Sequence, residues 1–159
     1  MYSLCFQSPI GFIEIKGTPE AITSTSFLEE SRPSSGIVPA VLLQCQKELE
    51  EYFEGKRKDF DVPLAPSGTA FQKQVWNELL KIGYGNTTSY IAIAKKMNNP
   101  GAVRAVGLAN GKNPIGVIIP CHRVIGEDGS LTGYAGGLWR KKWLLDLEGN
   151  ASGNAPTLF

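Results

Sequence analysis

Tyr90-Ile91-Ala92-Ile93-Ala94-Lys95-Lys96-Met97, then Asn98-Asn99-Pro100-Gly101, then Ala102-Val103-Arg104-Ala105-Val106-Gly107-Leu108-Ala109-Asn110 is the stretch on which the fold turns. Two short helical segments flank a four-residue break. Asparagine caps free N–H groups and proline fits a first helical turn, so the break suits the start of a new helix. Tyr90–Met97 and Ala102–Asn110 then have the dimensions of a helix-turn-helix, and equally those of an ordinary αα-corner. The composition of the second helix says more. Ala102, Ala105, Gly107 and Ala109 leave it nearly bare, with Arg104 standing out of it. A helix that reads the major groove normally carries long polar side chains. A bare helix with one arginine suits a narrower space, where backbone comes close and one long side chain is inserted, as minor-groove binding requires.

Working outward, Thr69–Ile82 places Phe71, Val75, Trp76, Leu79 and Ile82 on one side of a helix that ends at Gly83. Downstream, Ile115–Ile119 reads as a buried extended run. Val124-Ile125, the turn Glu127-Asp128-Gly129, and Leu131-Thr132 resemble a hairpin. Leu138–Glu148 is a helix expected to bury Trp139, Trp143, Leu144 and Leu147, with Gly149 closing it. Upstream, Tyr2–Phe6, Gly11–Lys16 and Ala21–Phe27 are candidate strands, and Ser31–Gly36 is a loop. Ile37–Glu54 is an amphipathic helix with Val38, Val41, Leu42, Cys45, Leu49, Tyr52 and Phe53 on one face. Gly55–Gly68 is polar and proline-containing, a linker. The expected organisation is a small α/β domain with its linker at 1–66, a mostly helical domain at 67–149, and a flexible tail at 150–159 without periodicity.

The chain has 159 residues, 42% of them hydrophobic and 9% aromatic, enough for a core. Its net charge of +1 hides an asymmetry. Residues 1–66 carry six Lys/Arg against ten Asp/Glu, a net of −4, and residues 67–159 carry ten against five, a net of +5. A polyanion would therefore meet the second half. Cys5, Cys45 and Cys121 are widely spaced and odd in number, which points to a reducing cytoplasm rather than a disulfide framework. One histidine and no Cys-x-x-Cys pair offer no zinc set, so no metal and no cofactor is expected. No apolar run is long enough to cross a membrane.

The chemistry concentrates in Ile118-Ile119-Pro120-Cys121-His122-Arg123-Val124, which joins an apolar run to a cysteine and the sole histidine. A thiol attacks as its thiolate, and imidazole is the side chain suited to take the proton near neutral pH. On the dipeptide alone, Cys121 reads equally as a small core residue. Gly133-Tyr134-Ala135-Gly136-Gly137 reads as a flexible loop or as a pocket wall whose tyrosine supplies a hydrogen bond. Glu148 opposes the dipole of its helix and needs a partner; if it reaches His122, it completes a nucleophile–base–orienter set.

Together Pro120-Cys121-His122-Arg123-Val124, Gly111-Lys112-Asn113-Pro114, Arg104-Ala105-Val106-Gly107, Gly133–Gly137 and Lys142-Trp143-Leu144-Leu145 through Glu148-Gly149 resemble the O6-alkylguanine-DNA alkyltransferase family. The resemblance covers about Thr69–Gly149. It implies a ribonuclease-H-like α/β N-terminal domain, a small antiparallel sheet plus helix, before a mostly α-helical C-terminal domain with a helix-turn-helix. It implies a monomer acting on double-stranded DNA through the minor groove, in the cytoplasm, and associated with the nucleoid if the source is bacterial. Cys121 would accept an alkyl group from O6 of guanine, with O4 of thymine left open. His122 would act as base through a water, Glu148 would orient it, and Asn113 would brace the site. Tyr134, Ala135 and Val124 would contact the extruded guanine, and Tyr90 would crowd the phosphate. Arg104, with Ala102, Ala105, Gly107 and Arg123, would contact DNA. Ala135 is serine in some relatives.

The physics agrees with that implication. A methyl on guanine oxygen is out of reach inside a stacked duplex, so the base must leave the stack. Displacement at that carbon needs a soft nucleophile in line. Three rivals remain at this point. A non-transferring alkylated-DNA-binding protein would lack the cysteine. A cysteine hydrolase would turn over, and its partners are generally distant in sequence. A regulator would need a longer-side-chained recognition helix.

Overall fold

The computed structural model describes residues 1–151, and the part of the expected tail beyond Ala151 lies outside the described residues. The chain divides into two compact units. The first comprises Met1–Ser67 with Pro114–Ile118, the second Gly68–Asn113 with the chain from Ile119 onward. Pro114–Ile118 therefore belongs with the first unit, not with the residues that flank it.

In the first unit, β1 (Tyr2–Ser8), β2 (Gly11–Gly17) and β3 (Ile22–Leu28) form an antiparallel sheet in that order. The β1–β2 register runs from Tyr2 opposite Gly17 to Ser8 opposite Gly11. Alternation puts Leu4 and Phe6 of β1 and Ile13 and Ile15 of β2 into the core. Helix α1 (Ala40–Phe53) buries Leu42, Cys45, Leu49, Tyr52 and Phe53. It starts at Ala40 rather than Ile37 because Pro39 disfavours helical backbone in the residue before it. Glu48 is also buried, and its carboxylate accepts from the backbone N–H groups of Asp61 and Val62 at 2.9 and 3.1 Å. The expected linker is thus held against α1. It also pairs with β3: Ile22 donates to Pro63 at 2.9 Å and Ala65 donates to Ile22 at 2.8 Å. Further along β3, Thr25 N–H donates to the Pro114 carbonyl at 3.0 Å and its hydroxyl to the Gly116 carbonyl at 2.8 Å. Two short segments so cover an edge that would otherwise present unpaired backbone.

The second unit begins at α2 (Ala70–Leu79), started by a capping box. Thr69 Oγ1 accepts from Gln72 N–H at 3.1 Å and Gln72 Oε1 from Thr69 N–H at 2.9 Å. Val75, Trp76 and Leu79 are buried. The Trp76 indole donates to the Ala109 carbonyl at 2.9 Å, tying α2 to α4 (Val103–Gly111). Between them, β4 (Thr88–Ser89) leads into α3 (Tyr90–Lys96), capped by the Ser89 hydroxyl. Asn98 breaks the chain after α3 at φ 57°, in the left-handed region asparagine tolerates, and Pro100–Ala102 forms a 3₁₀ turn into α4. The helix-turn-helix reading holds to within a residue.

Of the expected hairpin after Ile125 the turn forms, with Gly126 N–H donating to the Ser130 carbonyl at 2.8 Å, but Leu131-Thr132 makes no strand. Instead β5 (Val124–Ile125) pairs in parallel with β4, Thr88 opposite Val124. The Leu131-Thr132 segment is engaged by Lys141 on α5 (Leu138–Ala151). Its ammonium is fully buried and takes the carbonyls of Val124, Thr132 and Gly133, at 2.7, 2.6 and 3.4 Å. The carbonyls of Thr132 and Gly133 thus serve the lysine and no strand ladder. The expected face of α5 shifts accordingly. Leu144, Leu145 and Lys141 are buried, Trp139 is more than half exposed, and Trp143 and Leu147 are half-buried. The helix also runs through Gly149 instead of ending there. Among the described residues no helix is long and apolar enough to cross a membrane.

Candidate active site and nucleic-acid interface

Cys121 lies in the second unit, at the head of a single 3₁₀ turn, Cys121–Arg123. Pro120 sets that turn: its own backbone closes a three-residue turn in which Cys121 N–H donates to the Ile119 carbonyl at 2.8 Å. A 3₁₀ turn of three residues sends Cys121, His122 and Arg123 in three directions, so neighbours in sequence acquire different surroundings.

His122 is fully buried. Its Nε2 meets Glu148 Oε2 at 2.7 Å, as the sequence reading required. Glu148, one turn from the described end of α5, is clamped a second time by Arg123, whose Nε and Nη2 reach its two oxygens at 2.8 and 2.9 Å. The bidentate fork is the geometry arginine offers a carboxylate. A third Arg123 nitrogen donates to the Ile82 carbonyl. Arg123 is therefore buried inside the protein and is not a DNA contact, which corrects the expectation from sequence. Burial alone would raise the Glu148 carboxyl, but His122 and Arg123 outweigh it and hold it well below the usual carboxylate range.

The electrostatics fix the histidine tautomer. An ionised Glu148 only accepts, so Nε2 must carry the hydrogen and Nδ1 holds the lone pair. Nδ1 is buried and has no hydrogen-bond partner among the described residues. Burial lowers the His122 pKa more than Glu148 raises it, so the imidazole is neutral at neutral pH. Burial likewise pushes the Cys121 thiol up, against the lowering effects of the Asn113 side chain and of Lys141. The resting pair is a thiol and a neutral imidazole.

Asn113 also donates to the Ile119 carbonyl at 2.8 Å, which ties the approach to Cys121 back to the end of α4. The Tyr134 hydroxyl is buried, and burial together with the nearby Cys121 raises its pKa well above the ordinary value. Its carbonyl accepts from Gly137 N–H at 2.9 Å, making a turn at Ala135 and Gly136 that leaves Ala135 exposed. Val124 is buried, with its carbonyl on Lys141. The Tyr90 hydroxyl lies 2.9 Å from Thr132 Oγ1. Beside it runs a cleft of about 390 Å³ between α3, α4 and the Thr132–Tyr134 segment. A side chain on Gly107 would reach the Tyr90 ring at 3.8 Å.

On α4, Arg104, Ala105, Leu108 and Gly111 are exposed and Gly107 is half-buried; Lys112, just past its end, is exposed, and Ala102, in the turn before it, is half-buried. The bare face foreseen from composition is real, but it includes Leu108, and Ala109 is core. Two residues of the site were not foreseen, Asn110 and Lys141. Asn110 is buried beside the cleft, with Nδ2 3.5 Å from the Cys121 carbonyl. Nothing in hydropathy distinguishes these from surface residues. Asn110 sits on the inner stripe of α4 with Val106, a spacing that offered the one usable signal. Among the described residues no group of three or more His, Cys, Asp or Glu could hold a metal ion.

Residues 70–150 match the DNA-binding domain of the 6-O-methylguanine DNA methyltransferase family, and residues 1–66 its ribonuclease-like domain. The methylated-DNA–protein-cysteine methyltransferase of Methanosarcina acetivorans is 50% identical over 155 residues, covering 94% of this chain and 99% of that protein. That of Mycobacterium tuberculosis is 47% identical, covering 96% and 94%. The crystal structure of M. tuberculosis OGT in complex with DNA superposes with a TM-score of 0.85 at 45% identity, covering 96% of this chain and 94% of that one.

Proposed function

The chain belongs to the 6-O-methylguanine DNA methyltransferase family, and from that premise we propose that it repairs DNA by moving an alkyl group from O6 of guanine in a duplex onto Cys121, once per molecule. The observation that carries the assignment of residues is the buried Glu148–His122 pair next to Cys121, at 2.7 Å. It leaves Nδ1 as a base with a fixed tautomer. The Cys121 proton passes to that nitrogen through a water. Glu148 stabilises the imidazolium that forms. The thiolate sulfur bonds to the alkyl carbon as the carbon–O6 bond breaks, and the electron pair stays on the guanine. Tyr134 and nearby backbone N–H groups meet the charge developing there. The product is a thioether, which water does not reverse, so the protein is consumed.

The exposed face of α4 suits the minor groove, with Arg104 taking the space left by the extruded base. Tyr90 crowds the phosphate from α3. The protein acts as a monomer in the cytoplasm, on nucleoid DNA if the cell is bacterial. The test is intact-mass measurement after mixing with a duplex carrying one O6-methylguanine. A gain of one methyl, mapped to the Cys121 peptide, supports the reading; an unmodified Cys121 with the lesion intact overturns it.

A further inference from the structure

Leu108 is 66% exposed in α4, the most exposed leucine among the described residues. It follows Arg104 by four residues, so the two side chains share one face of the helix, about 6 Å apart along its axis. Ala105 and Gly111 are exposed on the same side and flank the leucine with little height. Packing within the chain does not account for those shallow flanks. A Cβ added at Gly111 would meet nothing within 4 Å, and one at Gly107 would meet the Tyr90 ring at an ordinary 3.8 Å. Glycine within a helix also weakens it relative to alanine. An isobutyl group thus stands in water beside an arginine, on a unit of net charge +5. That combination suits apolar contact with a groove floor between two rows of phosphates.

We propose that Leu108 is a specificity-determining residue that lies on the minor-groove floor beside the vacated base position and favours flanking base pairs without a 2-amino group. The inference rests on the alkyl-transfer and minor-groove reading above and adds sequence context to it. The separation of about 6 Å is under two base-pair rises of about 3.4 Å each. With Arg104 in the vacated space, Leu108 therefore falls within two pairs of the lesion. In that groove every pair presents acceptors, and a G·C pair adds the 2-amino donor. Hydrocarbon pressed onto that donor takes away its water and returns no bond. Against an A·T pair the same side chain meets no donor and no projecting group. Leu108 thus discriminates at positions that take no part in the transfer.

The experiment measures single-turnover methyl transfer to Cys121 from duplexes carrying one O6-methylguanine, below saturation so that binding contributes to the rate. The four pairs within two steps of the lesion are varied one at a time. Replacing guanine by inosine removes the 2-amino group, and replacing adenine by 2,6-diaminopurine adds one. In the wild-type protein inosine should raise the rate about fivefold at one or two of the four positions, and diaminopurine should lower it about as much there. In Leu108→Ala both effects should shrink to within about twofold. In Leu108→Asn the side-chain oxygen can accept from the amino group, and the preference should turn toward guanine. A wild-type rate indifferent to the amino group at all four positions overturns the inference. So does a preference of unchanged size in both variants, which would come from the weaker pairing of inosine. Absence of any methyl on wild-type Cys121 overturns the alkyl-transfer reading, and the inference falls with it.

Discussion

At the scale of the residue, Cys121 is buried, and that burial pushes its thiol up, toward the protonated form. Its reactivity must come from proton removal inside the site, not from a standing thiolate. Cys121→Ser should therefore abolish transfer while leaving duplex affinity within about twofold, since a hydroxyl of similar size is too weak an acid for imidazole to activate. Gel shift and mass spectrometry on one preparation check both halves. Cys45 should stay unmodified, because burial and then Glu48 push its thiol up to about 12. Cys5 is half-buried and is the stricter control. Glu148→Gln should slow transfer at least tenfold and lower stability by about 3 kcal/mol at neutral pH, the scale for breaking a buried ion pair. The sign with pH follows from the depressed carboxyl. Its contribution is present above the unfolded value of about 4.3 and is lost as pH falls toward the folded one. The variant's melting temperature should fall less steeply than wild type below about pH 4.5, and parallel acid limbs would refute this. Cys121 and His122 could be singled out from the sequence by residue type, whereas Asn113 came only from the family resemblance and Glu148 only on condition that it reach His122. Arg123 could not be placed correctly, since its partner, Glu148, is 25 residues away. A charged side chain does not announce whether its head is wet.

Among the elements, α4 is the one whose surface was legible in advance, because alanine and glycine leave a bare face from which Arg104 stands exposed. Arg104→Ala should slow repair of duplex DNA by at least tenfold, since nothing then offsets unstacking. It should leave reaction with the free base O6-benzylguanine within about twofold, and lower the salt slope of DNA binding by about one charge. Equal losses on both substrates would mean that Arg104 supports the cleft. The segment after β5 was legible only as far as its turn. Its turn residues and apolar pairs satisfy every local rule for a hairpin, but past the turn one ammonium from α5 collects its carbonyls. Lys141→Met should loosen that segment. We expect faster amide exchange at Leu131–Tyr134 and a melting temperature several degrees lower. At the start of α2, a side chain on Gly68 would meet the Trp76 ring at 2.5 Å. Gly68→Ala should cost about 1–3 kcal/mol by overpacking, measurable by denaturant unfolding.

For the whole molecule, charge and chain path both separate the two units. Pro114–Ile118 carries no charge, so the first unit keeps its net −4 and the second its +5. Duplex affinity should accordingly fall steeply between 50 and 200 mM salt, as it does when lysines and arginines displace condensed counterions. Composition foretold that polarity, and the strand and helix order of the first unit was readable from alternation. The membership of Pro114–Ile118 was not, because a short apolar run has no preferred partner until the edge of β3 exists to receive it. This chain path has a consequence for biosynthesis. A nascent chain emerging at about 5–20 residues per second exposes β3 early, yet the strip that covers Thr25 is synthesised some ninety residues later. The first unit therefore cannot be finished in the order in which it is made. Its last backbone pairings wait until α2, α3 and α4 have left the ribosome, and a chain stalled before residue 114 would carry an open sheet edge into a crowded cell.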